Sequence, residues 1–122
     1  YVVKQIDGSQ LQEKNDAMKE IEFLSQLKHP NIIGYREWFQ ETKGAKTYIY
    51  IAMNFADGGD LEGRIKRQRG RSFKEKQIVD WTIQICLALK HMHDRKILHR
   101  DIKSQNIFLM RNGMVKLGDF GS

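Results

Sequence analysis

The chain has 122 residues, with 21 Lys and Arg against 15 Asp and Glu, a formal charge of +6. That length allows one domain or part of one, and no apolar run approaches the ~18 residues of a membrane-spanning helix. A single cysteine, Cys86, excludes an intrachain disulfide and fits a reducing, cytoplasmic compartment.

In chain order, the β-branched and aromatic stretch Tyr1 to Ile6 predicts a strand interrupted by Lys4. Read from the strand alone, Lys4 is a residue whose ammonium snorkels to water. Ser9-x-x-Gln12 has the form of a capping box and predicts a helix from there to about Lys28, where Pro30 disfavours helical geometry at His29. At 100° per residue, Ala17, Ile21, Phe23, Leu24 and Leu27 form the apolar face. Glu20 falls inside that arc and Glu22 points away. Glu13 shares the face but sits in the first turn, where the helix dipole accounts for it. A carboxylate on a buried face needs a partner.

Asn31 to Phe39 and Thr47 to Met53 read as strands, with a turn over Thr42-Lys43-Gly44-Ala45-Lys46. Asn54 to Asp60 breaks the pattern with two glycines and reads as a flexible connection. Asp60 caps a short helix to about Gln68. The basic cluster Arg64, Lys66, Arg67, Arg69 and Arg71 reads as a solvated face, with an acidic partner as the less favoured alternative. No RNA-binding or helix-turn-helix signature accompanies it, so no nucleic-acid partner is expected.

Ser72-x-x-Glu75 repeats the capping-box form and opens a long helix to about His93. Ile78, Trp81, Ile85, Leu89 and Met92 share one face, and Val79, Ile83 and Cys86 an adjoining one. A helix this apolar expects neighbours on several sides. Cys86 reads as a packed thiol. His91 and His93 do not share a face and do not suggest a zinc site.

His99-Arg100-Asp101-Ile102-Lys103-Ser104-Gln105-Asn106 concentrates charged and amide groups. Two apolar runs follow, Ile107 to Met110 and Met114 to Leu117, joined by Arg111-Asn112-Gly113, where Asn-Gly signals a hairpin. The hairpin brings Asn106 and Asp119 to one edge, with Asp101 just upstream. Two such oxygen donors and a separate carboxylate suit a hard divalent cation beside a proton acceptor.

His99-Arg100-Asp101 with Lys103 and Asn106, then Asp119-Phe120-Gly121, resembles the catalytic loop and metal-binding motif of eukaryotic protein kinases. Asp101 to Leu109 is similar more narrowly to the NIMA-related (Nek) serine/threonine kinases. The resemblance implies an α+β fold: part of a small antiparallel sheet with a helix over 1–53, a hinge at 54–59, and the start of a helical lobe with the catalytic hairpin over 60–122. It implies phosphoryl transfer from ATP, with Mg²⁺ (or Mn²⁺), to Ser or Thr of protein substrates.

By the same resemblance Asp101 is the catalytic carboxylate and Lys103 steadies the transferring group. Asn106 and Asp119 hold the metal. Lys4 holds the α- and β-phosphates and needs a carboxylate to fix its flexible stem. Glu20, the carboxylate in the buried arc, is the expected partner. Met53 is the gatekeeper, main-chain groups of Asn54 and Ala56 bond adenine, Asp60 approaches the ribose, and Phe108 lies beneath adenine. Centrosomal, ciliary or cytoskeletal roles are implied by the family alone. The glycine-rich loop and activation loop of a kinase are not among these residues, so the 122-residue fragment is expected to be inactive by itself. A non-catalytic binding or regulatory module derived from a kinase is the alternative. Oligomeric state is not readable from these residues.

Overall fold

Alternating exposure along the first strand sets up the first half of the molecule. In the computed structural model, which describes residues 1–99 and 102–118, β1 (Val2–Asp7) turns Lys4 and Ile6 inward and leaves Val3 and Gln5 exposed. It pairs antiparallel with β3 (Lys46–Met53), so Lys4 lies opposite Ile51 and Ile6 opposite Ile49. Ile49 and Ile51 have no exposed surface, the mark of the central strand of a three-stranded sheet ordered β1-β3-β2. The third strand, β2 (Tyr35–Lys43), is an exposed edge with a register irregularity between Tyr35 and Glu37. Phe39 and Tyr50, directly paired, stack with centroids 5.0 Å apart.

The β2–β3 turn is Gly44-Ala45, shorter than the five residues expected. Gly44 takes a φ of 62° and Ala45 does not go positive, as a two-residue type II′ turn requires.

Helix α1 (Leu11–Gln26) buries Ala17, Glu20, Ile21 and Leu24, and Leu27 follows at its cap. Phe23, expected on this face, is 41% exposed. The Ser9 capping box does not form. The Ser9 hydroxyl accepts the Thr47 N–H at 3.1 Å, and its own N–H donates to Asp7 Oδ1 at 3.0 Å. Ser9 therefore ties the end of β1 to β3, and Gln10 caps α1 without a side-chain bond.

The chain divides into two compact units. The first holds 1–28 and 34–55; the second holds 29–33 and 56–118. Residues 31–33, expected to begin a strand of the first sheet, belong instead to the second unit. Ile32 bridges Leu117 in parallel, Ile33 N–H donates to Leu117 O at 2.8 Å, and Leu117 N–H donates to Asn31 O at 2.8 Å.

In the second unit, α2 (Leu61–Arg67) starts where expected, with Asp60 Oδ1 accepting the Gly63 N–H at 2.8 Å. α3 (Glu75–Asp94) starts later than the Ser72 box implies, with Lys74 as its cap and no side-chain bond there. Its buried residues are Trp81, Ala88 and Met92, while Ile78, Val79, Ile83 and Leu87 are each about half exposed. Cys86 is exposed rather than packed. The inward stripe is thus rotated from the expected one, because Gln84 replaces an apolar residue on it. Gln84 Oε1 accepts from Asn31 Nδ2 at 2.8 Å and from the Val115 N–H at 2.7 Å. Asn31 Nδ2 also donates to Val115 O at 2.8 Å. This satisfied polar knot joins 31–33, α3 and the hairpin, as buried polar groups require.

The hairpin consists of β4 (Ile107–Leu109) and β5 (Val115–Leu117), with Phe108 opposite Lys116. Gly113 alone takes a positive φ, 94°. Asn112 contributes through its side chain instead, Oδ1 accepting the Met114 N–H at 3.0 Å. Among the described residues no helix is long and apolar enough to cross a membrane.

Candidate active site

Two groups of predicted site residues sit one in each unit. In the first, Lys4 Nζ donates to both carboxylate oxygens of Glu20, at 2.9 and 3.2 Å. The Glu20 side chain is 5% exposed and that of Lys4 30%. The strand period points Lys4 toward α1, and the helical period returns Glu20 to the same face. A forked contact holds a point charge at the end of a four-carbon stem in one place. The partner chosen by helical arc is the one found.

Met53 ends β3, half-buried, opposite Val2 and Tyr35. The next residue, Asn54, spends its N–H on Gly34 O at 2.8 Å. Among the described residues its carbonyl accepts no backbone N–H. A Cβ on Gly34 would meet Asn54 Nδ2 at 2.5 Å, so glycine there lets the two segments approach.

In the second unit Ala56 is buried. The glycines after it are clasped to β4 rather than loose: Gly58 N–H donates to Leu109 O at 2.9 Å and Leu109 N–H to Gly59 O at 2.8 Å. Asp60 bridges Phe108, which places the helix cap beside the β4 ring. Its Oδ1 is taken by the cap, and among the described residues its Oδ2 has no hydrogen-bond partner. Phe108 is half-buried, and its ring lies where a Cβ on Gly118 would meet it at 2.7 Å.

The residues 104–106 form a 3-10 turn, closed by Asn106 N–H to Lys103 O at 2.9 Å. Asn106 is 3% exposed, and its carbonyl accepts the Gly118 N–H at 3.0 Å. That bond extends the hairpin register by one pair and ties Asn106 to the covalent neighbour of Asp119. His99, 5% exposed, donates from Nε2 to Gly118 O at 2.8 Å. Gly118 is thus held from both sides, a role that sequence reading missed. The glycine before Asp119 gave no signal beyond its type. Arg100, Asp101, Asp119 and Phe120 lie outside the described residues, so the expected roles of Asp101 and Asp119 have no geometry here.

A protein kinase domain model matches residues 1–122. The chain belongs to the protein kinase domain family, and as a family these enzymes use ATP with a divalent metal and act on proteins. It is 54% identical over 123 residues to serine/threonine-protein kinase Nek1 of Mus musculus, covering 99% of this chain and 10% of that protein. It is 54% identical over 123 residues to serine/threonine-protein kinase Nek5 of Homo sapiens, covering 98% of this chain and 17% of that protein. Serine/threonine-protein kinase Nek3 of Mus musculus is 55% identical over 104 residues, 85% of this chain and 20% of that protein. The chain therefore spans between a tenth and a fifth of the length of these relatives.

Proposed function

We propose that this chain carries the nucleotide-gripping and catalytic-loop residues of an ATP-dependent protein serine/threonine kinase of the Nek type. The observation that carries the reading is the Lys4–Glu20 ion pair, buried on the Glu20 side and formed by the residues that match the family's phosphate-binding lysine and helix glutamate.

When bound, magnesium-ATP supplies the γ-phosphoryl group and a metal charge that offsets its oxygens. The chain's own residues do the rest. Glu20 fixes the Lys4 ammonium for the α- and β-phosphates. The Asn54 carbonyl and the main chain of Ala56 serve the adenine edge, Met53 limits the space behind it, and Phe108 serves its face. Asp60 has a carboxylate oxygen beyond its cap bond for a ribose hydroxyl. Asn106 and Asp119 hold the metal. The Asn106 end of that pair fits: the residue is buried, and its backbone is tied to Gly118. Asp101 accepts the proton of a Ser or Thr hydroxyl and orients it. With an aqueous pKa of about 3.9 it is a weak base, so orientation is its larger contribution. Lys103 steadies the transferring group. A cytoplasmic setting is part of the same proposal, supported by a chain with one cysteine, free and exposed.

Titration of the protein with ATP and Mg²⁺ tests the grip. Lys4→Met is expected to weaken ATP binding about tenfold or more, equivalent to about 1.4 kcal/mol. Glu20→Gln, which keeps the shape but loses the charge that fixes Lys4, is expected to weaken it less. Wild-type affinity in Lys4→Met would reject the assignment.

A further inference from the structure

The reading above uses none of the basic cluster between Arg64 and Arg71, and the fold divides that cluster. Lys66 turns to Glu62, with Nζ 3.7 Å from Oε1. Arg64 and Arg67, three apart on α2, instead line a cavity of about 660 Å³. The β4–β5 turn brings Arg111 to the same cavity, and Trp81, Met110 and Met114 are among its apolar walls. Among the described residues the one carboxylate in its lining, Asp57, is engaged by main chain: its Oδ1 accepts the Arg111 N–H at 2.8 Å. Among the described residues none of the three guanidinium groups has a carboxylate partner.

Three like charges gathered from two elements in a mostly polar lining, with Trp81, Met110 and Met114 as its apolar part, call for an anionic ligand that also carries a hydrocarbon group. The volume is in the range of ligand sites, roughly 300–1,000 Å³, and far exceeds what one inorganic anion fills. Nucleic acid fits less well. It would want aromatic faces offered for stacking, and Trp81 is only 9% exposed, with Phe73 against its ring at 5.0 Å. Two of its apolar residues, Met110 and Met114, are methionines, which adapt to aliphatic side chains. Arginine forks match carboxylates.

We propose that this cavity is a docking site for an acidic linear segment of a partner protein. Two or more Asp or Glu side chains would meet Arg64, Arg67 and Arg111, and an aliphatic side chain between them would rest on Met110 and Met114. None of these residues belongs to the nucleotide, metal or catalytic set, so the site is separate from the one proposed above.

Fluorescence anisotropy with the intact protein tests it. The probe is a labelled twelve-residue peptide with Glu residues flanking one Leu, read near physiological salt. Saturable binding is expected. Arg67→Glu and Arg111→Glu are each expected to weaken it about tenfold or more, whereas Arg71→Glu, outside the cavity lining, changes it about twofold or less. Replacing the Leu of the peptide by Gly is expected to weaken binding several-fold. A Lys-for-Glu peptide is expected to bind the Arg67→Glu, Arg111→Glu double variant better than wild type. Both arginines are exposed, so thermal midpoints near wild type are expected. Should a charge reversal fail to fold, Arg64→Ala and Met114→Ser carry the same test, and unchanged affinity in both overturns the proposal. So does absence of saturable binding, equal loss in Arg71→Glu, indifference to the peptide Leu, or tighter binding of a single-stranded oligonucleotide of the same charge.

Discussion

A methyl group added at Gly58 would meet the Leu109 carbonyl oxygen at 2.7 Å, against main chain that cannot swing aside. The same residue donates to that oxygen. Gly58→Ala is therefore expected to cost about 1–3 kcal/mol, read as a lower urea midpoint with unchanged slope. A midpoint equal to wild type would contradict the close approach. Gly44, by contrast, has open space around its missing Cβ, so its requirement is the positive φ alone. Sequence marks both as glycines in loops and does not separate them: one is there for backbone conformation, the other for contact. Glu20 was more legible. Its position in an apolar arc identifies it because a buried carboxylate must be paired, whereas Glu22, two residues on, is exposed. Ser9 and Ser72 mislead for a complementary reason. A serine hydroxyl accepts from whichever N–H the fold presents, and at Ser9 that is Thr47 across the sheet.

At the scale of elements, the segment 29–33 shows most clearly how local pattern can be overridden. Its apolar residues read as strand, and Ile32 does bridge a strand, but the partner is β5 in the second unit. Asn31 and Gln84, polar residues without a distinctive spacing, select that partner, and no periodicity announces a pairing 53 residues apart. The segment also packs His29 against His91, ring centroids 4.8 Å apart. His29 Nδ1 accepts the Asn31 N–H at 3.0 Å, and His91 Nε2 is buried without a hydrogen-bond partner among the described residues. Burial holds both imidazoles below their ordinary value of 6.5, helped at His29 by Arg95 and Lys116. At His91, Arg95 and His29 act in the same direction and Asp94 opposes them. Burial likewise pushes the Lys116 ammonium down, with Nζ donating to Pro30 O at 2.8 Å. Because the folded-state values are depressed, the unfolded chain binds more protons once pH falls below 6.5. The contribution to stability is whole above that pH and is lost as pH falls through the folded-state values. Urea midpoints are expected to drop between pH 7.5 and pH 5.5, and the paired change His29→Gln, His91→Gln is expected to narrow that drop. An unaltered pH dependence in the double variant would remove the pair from the account.

For the molecule as a whole, periods of two and 3.6 made the strands and helices readable and placed Glu20 on a buried face, whereas the kinase-like fold class and the roles of Lys4 and Asn106 came from the resemblance. Less was readable of α3. Its apolar residues cover more than half its circumference, so sequence could not say which side would be covered. The side carrying Ile78, Val79, Ile83 and Leu87 is the exposed one. The proposed kinase activity ultimately rests on Asp101, whose assignment comes from its place in the His-Arg-Asp motif. The most direct measurement is transfer of the γ-phosphoryl group of ATP to a Ser- or Thr-bearing protein by a domain in which these residues are joined to a glycine-rich loop and an activation loop, as wild type and as Asp101→Asn. The variant is expected to keep ATP affinity within about threefold and to lose a hundredfold or more in turnover, about 2.7 kcal/mol of barrier. Turnover equal to wild type would contradict the assignment of Asp101, and no transfer by the wild-type completed domain would contradict the kinase reading itself.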